Sequence, residues 1–137
     1  MKGKSIKIRN DMAELSKLCL MIRDLLEKEK ISPHTLYAVE LSLEEMLTNI
    51  IKYGYDDKNT HEILVDASLT DRQIILSIED DGHEFNPLER PDADISSQVT
   101  ERKIGGVGLH LTRKMVKSME YKRDNNKNIL KIFIDIK

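Results

Sequence analysis

Tryptophan is absent from this chain, aromatic residues make up only 4% of it, and cysteine occurs once, at Cys19. The shortage of aromatics argues against a stacking platform for single-stranded nucleic acid. One cysteine excludes an intrachain disulfide, and its place among Leu15, Leu18, Ile22 and Leu26 at helical spacing reads as a small core residue. Neither charge dominates: 22 Lys and Arg against 24 Asp and Glu leave a net charge of -2, so no basic field draws in a polyanion. The short basic run Tyr121-Lys122-Arg123 reads as a solvated strand end. No apolar run approaches the roughly 18 residues of a membrane span, and MKGKSIKIRN carries no secretory hydrophobic region. The expected location is a reducing cytoplasm, with no membrane partner and no direct nucleic-acid partner. His34, His61, His83 and His110 are scattered without metal-ligand spacing. His83-Glu84 opens an H-E-x-x-H, but Pro87 stands where the second histidine belongs, so a zinc site of that kind is rejected.

What is present describes a single domain, residues 1–137, with 39% hydrophobic and 34% charged residues and enough length to bury a core. Ser5 to Arg9 alternates weakly, as a short edge strand does. Asn10 or Asp11 can cap a first helix carrying Leu15, Leu18, Ile22, Leu25 and Leu26, which ends in the charged run Glu27 to Lys30. Ser32-Pro33, a cap residue followed by proline at the first helical position, starts a second helix that runs to about Tyr53 and ends at Gly54. Glu62 to Thr70 and Gln73 to Asp80, joined by Asp71-Arg72, form an antiparallel hairpin. A polar segment, about 83–104, with Pro87 and Pro91 is too long for a plain connection and reads as a mobile lid. A third helix spans Leu109 to Met119, and two strands, about Met119 to Arg123 and Ile129 to Ile136, close the chain around Asn125-Asn126. The order predicts an α+β fold, a two-layer sandwich of a mixed, mainly antiparallel sheet with about three helices on one face.

Three stretches carry chemistry. In VELSLEEMLTNIIKYGY the apolar positions Leu36, Val39, Leu43, Met46, Leu47 and Ile50 form one stripe, and beside it run Ser42, Glu45, Asn49 and Lys52. An amide oxygen is a hard-cation ligand and a carboxylate can accept a proton, so Asn49 and Glu45 can hold Mg²⁺ and activate a hydroxyl; an ordinary solvated helix face is the plain alternative. Gly105-Gly106-Val107-Gly108 at a helix start lets backbone N–H groups approach phosphate, or is simply a loop. It follows neither the dinucleotide fingerprint nor the P-loop. Asp80, followed by Gly82, can accept a hydrogen bond from an exocyclic amino group such as that of adenine, or is an acidic turn. The three signals together are far less easily accidental than any one of them.

Glu45-x-x-x-Asn49, Asp80-x-Gly82 and Gly106-x-Gly108 resemble the N-box, G1-box and G2-box of the GHKL superfamily, which shares the Bergerat ATP-binding fold with histidine kinases, heat-shock chaperones and type II topoisomerases. The stand-alone size, together with E-x-L-T-N-I-I-K-Y-G-Y, D-D-G-H-E-F-N-P and G-G-V-G-L-H-L, is most similar to the anti-sigma factor serine/threonine kinases. The resemblance implies ATP and Mg²⁺ as cofactors, Asn49 as the Mg²⁺ ligand and Glu45 as the catalytic general base. It implies that Asp80 reads the adenine amino group, with Gly82 keeping the base edge open. Gly106 and Gly108, with the N–H groups of Val107 and Leu109, would cradle phosphates. Lys52 and Tyr53 would contact phosphate and adenine, and Arg102 or Lys103 would reach the γ-phosphate. Implied partners are a sigma factor, a small anti-anti-sigma (STAS-like) antagonist that receives the phosphate, and a second copy in a homodimer, for which Met12, Met21 or the first strand would supply apolar surface. The alternative is an ATP-binding partner switch that sequesters a regulator without phosphoryl transfer. A histidine kinase catalytic half is disfavoured, because the first 30 or so residues make one helix and no phosphoacceptor hairpin. Two departures stand out: Tyr53 occupies the place where the family often has His, and no Thr is evident around Asn128 to Leu130.

Overall fold

The computed structural model describes residues 2–89 and 106–136. Strand β1 (Lys2–Arg9) leads into helices α1 (Met12–Glu27) and α2 (Pro33–Tyr53), then strands β2 (Glu62–Leu69) and β3 (Gln73–Asp80). Among the described residues a 3₁₀ turn, Pro87–Glu89, helix α3 (Gly106–Met115) and strands β4 (Ser118–Asp124) and β5 (Lys127–Asp135) follow. The five strands lie in the order β1-β2-β3-β5-β4. Among the described residues every pairing is antiparallel, in the mainly antiparallel sheet expected, and β1 is the predicted edge strand.

Local chemistry explains most of the boundaries. Asp11 caps α1 by accepting from the Glu14 N–H, and Ser32 caps α2 by accepting from the Thr35 N–H with Pro33 at the first helical position. Asn125 and Asn126 both adopt positive φ, 52° and 62°, as a tight hairpin turn between right-twisted strands requires. Helix α3 differs from expectation at both ends. It begins at Gly106, so Gly106 and Gly108 lie inside its first turn, and it stops at Met115 because the Lys117 N–H is taken by the Phe133 carbonyl at 2.7 Å, which hands the chain to the β4–β5 ladder.

The core forms where α1 and α2 lie on one face of the sheet. Leu15, Leu18, Ile22 and Leu26 of α1 and Val39, Leu43 and Leu47 of α2 meet the inward residues of the strands. Cross-strand pairs such as Val65 with Ile78, Leu76 with Ile132 and Ile78 with Leu130 keep the inward phase continuous across the sheet. Ser42, expected on the polar line of α2, is fully buried and returns its hydroxyl to the Ala38 carbonyl at 2.7 Å, which keeps it satisfied inside the core. Cys19 packs against this core, and burial, with Glu44 and Glu40 nearby, pushes its thiol up to about 11. It is therefore a poor nucleophile at neutral pH. No described helix is long and apolar enough to cross a membrane.

The α2–β2 connection is tied back to the end of β3 through His61. Its ring stacks on Tyr55 at a centroid distance of 4.1 Å, its Nε2 meets Asp57 Oδ1 at 2.8 Å, and its Nδ1 meets Asp81 Oδ1 at 3.3 Å. The bond to Asp57 raises the His61 pKa and the bond to Asp81 adds to it, while the His61–Asp57 bond lowers the Asp57 pKa. A histidine whose folded pKa is raised contributes stability that is complete below its unfolded pKa of about 6.5 and is lost as pH rises through the folded value. The urea midpoint of the wild type should therefore exceed that of His61→Gln by more at about pH 6 than at about pH 8. A difference independent of pH would show that the clasp does not depend on imidazolium.

Candidate functional site

A cavity of about 240 Å³ opens where the C-terminal half of α2 crosses the sheet at the end of β3 and the start of β5. Its apolar walls come from Met46 and Ile50 on α2, Ile78 and Leu130 on the sheet, and Phe85 and Pro87 after β3. Asn49, Asp80 and His83 supply polar groups to its lining. A slot with two apolar faces and a few converging polar groups suits a flat heterocycle better than a sugar or a peptide.

Asp80 enters the cavity because of strand periodicity. Ile74, Leu76 and Ile78 face inward, and the next residue in that phase is a carboxylate, 5% exposed. Its Oδ1 accepts from the Gly82 N–H at 2.9 Å and from Asn128 Nδ2 at 3.0 Å. Burial raises its pKa, and these two hydrogen bonds work against that shift. Among the described residues both bonds end on Oδ1, which leaves Oδ2 for a donor in the cavity.

Gly82 is required by a close approach. A Cβ on it would strike the Gly54 carbonyl, the group that also accepts from the His83 N–H at 2.9 Å. Gly82→Ala must separate its backbone from that of Gly54, a residue of the cavity wall. A cost of about 1–3 kcal/mol in unfolding free energy is expected, with loss of ligand binding at the cavity. Unchanged denaturant midpoints would show that the loop absorbs the methyl group.

Glu45 and Asn49 leave α2 in the same direction from successive turns, yet only Asn49 lines the cavity. The Glu45 carboxyl packs on Gly108 in the first turn of α3, where an added Cβ would overlap both carboxyl oxygens. Glu45 also borders the groove between α1 and α2, beside Glu44 and Thr48. Burial, then Glu44, raises its pKa, which makes it a stronger base than an open glutamate. Tyr53, 46% exposed, lines the cavity, whereas Lys52 is exposed and lies outside it. Gly106 and Val107 fall in the first turn of α3, and Leu109 is buried in the core. Arg102, Lys103 and the greater part of the expected lid lie outside the described residues.

Sequence reasoning missed the supports of this site. Arg123, expected to be solvated, donates through Nη1 to the Gly82 carbonyl at 2.9 Å, and Tyr121 lines the cavity and donates to Asn128. The hairpin turn brings both back to the end of β3, so the basic run is not simply a solvated strand end. Asn128 is 6% exposed and stands opposite Asp80 in the β3–β5 register. Its signal was readable: Asn128, Leu130, Ile132 and Ile134 share one phase of β5, so a polar residue at its head occupies an inward position.

The model of the histidine kinase-like ATPase domain family matches residues 8–134. The anti-sigma F factor of Clostridium perfringens strain SM101 is 24% identical over 89 residues, covering 65% of this chain and 64% of that protein. Its counterpart in strain ATCC 13124 is 22% identical over 89 residues, with the same coverage of 65% and 64%. The match thus spans less than two thirds of the length of these relatives. The histidine kinase AdeS of Acinetobacter baumannii superposes with a TM-score of 0.51 over 99% of this chain and 69% of that one, at 17% identity, a likeness of fold alone. With the three boxes placed on α2, the end of β3 and the start of α3, this chain belongs to the histidine kinase-like ATPase domain family.

Proposed function

We propose that this chain is an ATP-dependent serine/threonine protein kinase of the anti-sigma type. It would transfer the γ-phosphate to a small anti-anti-sigma protein and hold a sigma factor when free of that antagonist. The observation that carries the reading is the convergence of Asn49 and Asp80 on one cavity, with Glu45 one helical turn away against the first turn of α3. The similarity to anti-sigma F factors supports the choice of partners.

The residues fit the groups that this chemistry needs. The uncommitted oxygen of the buried Asp80 suits the amino group of adenine, and the apolar walls suit the ring. The first N–H groups of a helix have no partner within it, and those at the start of α3 suit phosphate oxygens. Asn49 would hold Mg²⁺ by its amide oxygen, and phosphate and water oxygens would complete the shell. Bound there, the ion would neutralise charge on the phosphates, the main electrostatic requirement of phosphoryl transfer. Glu45 would take the proton of the attacking Ser or Thr hydroxyl from its place between α3 and the α1–α2 groove. Met12, Leu20 and Met21 are 43%, 66% and 41% exposed on α1, which supports a protein-contact surface for a second copy or a partner.

Incubation with γ-labelled ATP and candidate antagonists tests the proposal. Label should appear on a Ser or Thr of the antagonist. Persistent absence of label with intact ATP binding would favour the partner switch without transfer.

A further inference from the structure

The amide of Asn128 has every hydrogen-bonding valence filled within the protein. An Asn side chain offers two N–H donors and a carbonyl oxygen with two acceptor sites. Nδ2 donates to Asp80 Oδ1 at 3.0 Å and to the His83 carbonyl at 2.9 Å. Oδ1 accepts from the Phe85 N–H at 3.3 Å and from the Tyr121 hydroxyl. The four partners fix the orientation of the amide, since exchanging its oxygen and nitrogen would set oxygen against oxygen at both Asp80 and His83. Asn128 borders the cavity, but none of its polar atoms has a valence left for a ligand.

We infer that Asn128 is a positioning residue for base recognition: it holds Asp80 by Oδ1, so that Oδ2 alone meets the ligand, and ties that carboxylate to the cavity wall at His83 and Phe85. The inference rests on the reading of Asp80 as the acceptor for the amino group of adenine. Three elements thereby share one side chain. β3 supplies the acceptor, the segment after it supplies the wall, and β4 supplies the Tyr121 donor that completes the amide.

A merely structural role and a positioning role separate in base discrimination. Calorimetry with the purified chain would compare ATP with purine riboside triphosphate, which lacks the 6-amino group. The wild type should prefer ATP by about tenfold or more, the value of a hydrogen bond to a charged group. Asn128→Ala should bring the two ligands to about the same affinity, and Asn128→Thr, whose hydroxyl can donate to Asp80, should restore most of the preference. Asn128→Asp gives an independent reading should the alanine variant not fold. It sets two carboxylates oxygen to oxygen, so ATP affinity should fall with rising pH, relative to the wild type at each pH, as the proton they share is lost. A preference unchanged in Asn128→Ala, or a profile parallel to the wild type in Asn128→Asp, overturns the positioning role. A wild type that does not distinguish the two ligands overturns the reading of Asp80 and this inference with it.

Discussion

Glu45→Gln should lower phosphoryl transfer to the antagonist by about 10²–10⁴-fold, the range over which a positioned general base acts, and leave ATP affinity nearly unchanged. Gln keeps the length and planarity of the side chain, so its packing on Gly108 survives, and Glu45 does not line the cavity where the base would sit. Only proton acceptance is removed. The raised pKa of Glu45, caused first by burial and then by Glu44, gives a second signature. A base must be ionised to act, so wild-type transfer should decline as pH falls through that raised value, and the residual activity of the variant should lack this limb. Single-turnover assays with labelled ATP across pH measure both. Equal rates in wild type and variant would remove Glu45 from the chemistry.

Elements whose signals are local were legible in the sequence. Ser32-Pro33 set the start of α2, and Asn125-Asn126 set the last hairpin. The hydrophobic period located α1, α2, β2 and β3 to within a residue or a few, because side chains on one face report burial directly. What escaped depends on pairing across long separations. The end of α3 is decided by a backbone bond from Lys117 to Phe133, and the inward role of Asn128 by its register with Asp80, 48 residues earlier. The resemblance leads one to look for Thr near the last strands. No Thr is evident around Asn128 to Leu130, and Asn128 there brings an amide whose two donors and two acceptor sites are all used within the protein. Lys52 shares helical spacing with Asn49, yet its side chain is exposed and lies outside the cavity that Asn49 lines.

Asp80→Asn should reverse base preference rather than simply weaken binding. The new amide must keep an oxygen toward the Gly82 N–H and Asn128 Nδ2, because both are donors fixed on Oδ1. Its NH₂ group is thereby forced into the cavity. A donor then faces the amino group of adenine, and ATP affinity should drop by about 10- to 150-fold, equivalent to the roughly 1.5–3 kcal/mol of a hydrogen bond to a charged group. Inosine triphosphate, which carries a carbonyl at the same position, should gain on the variant relative to the wild type. Stability should respond with the opposite sign to binding. Burial raises the Asp80 pKa above its unfolded value, so the folded state pays a growing cost as pH rises from the unfolded pKa through the folded one. The variant has no such cost, and its urea midpoint should gain on the wild type over that interval and hold the gain above it. Calorimetry with ATP and inosine triphosphate, alongside urea titrations at several pH values, measures both effects. An Asp80→Asn protein that binds ATP as tightly as wild type would show that the buried carboxylate does not read the base.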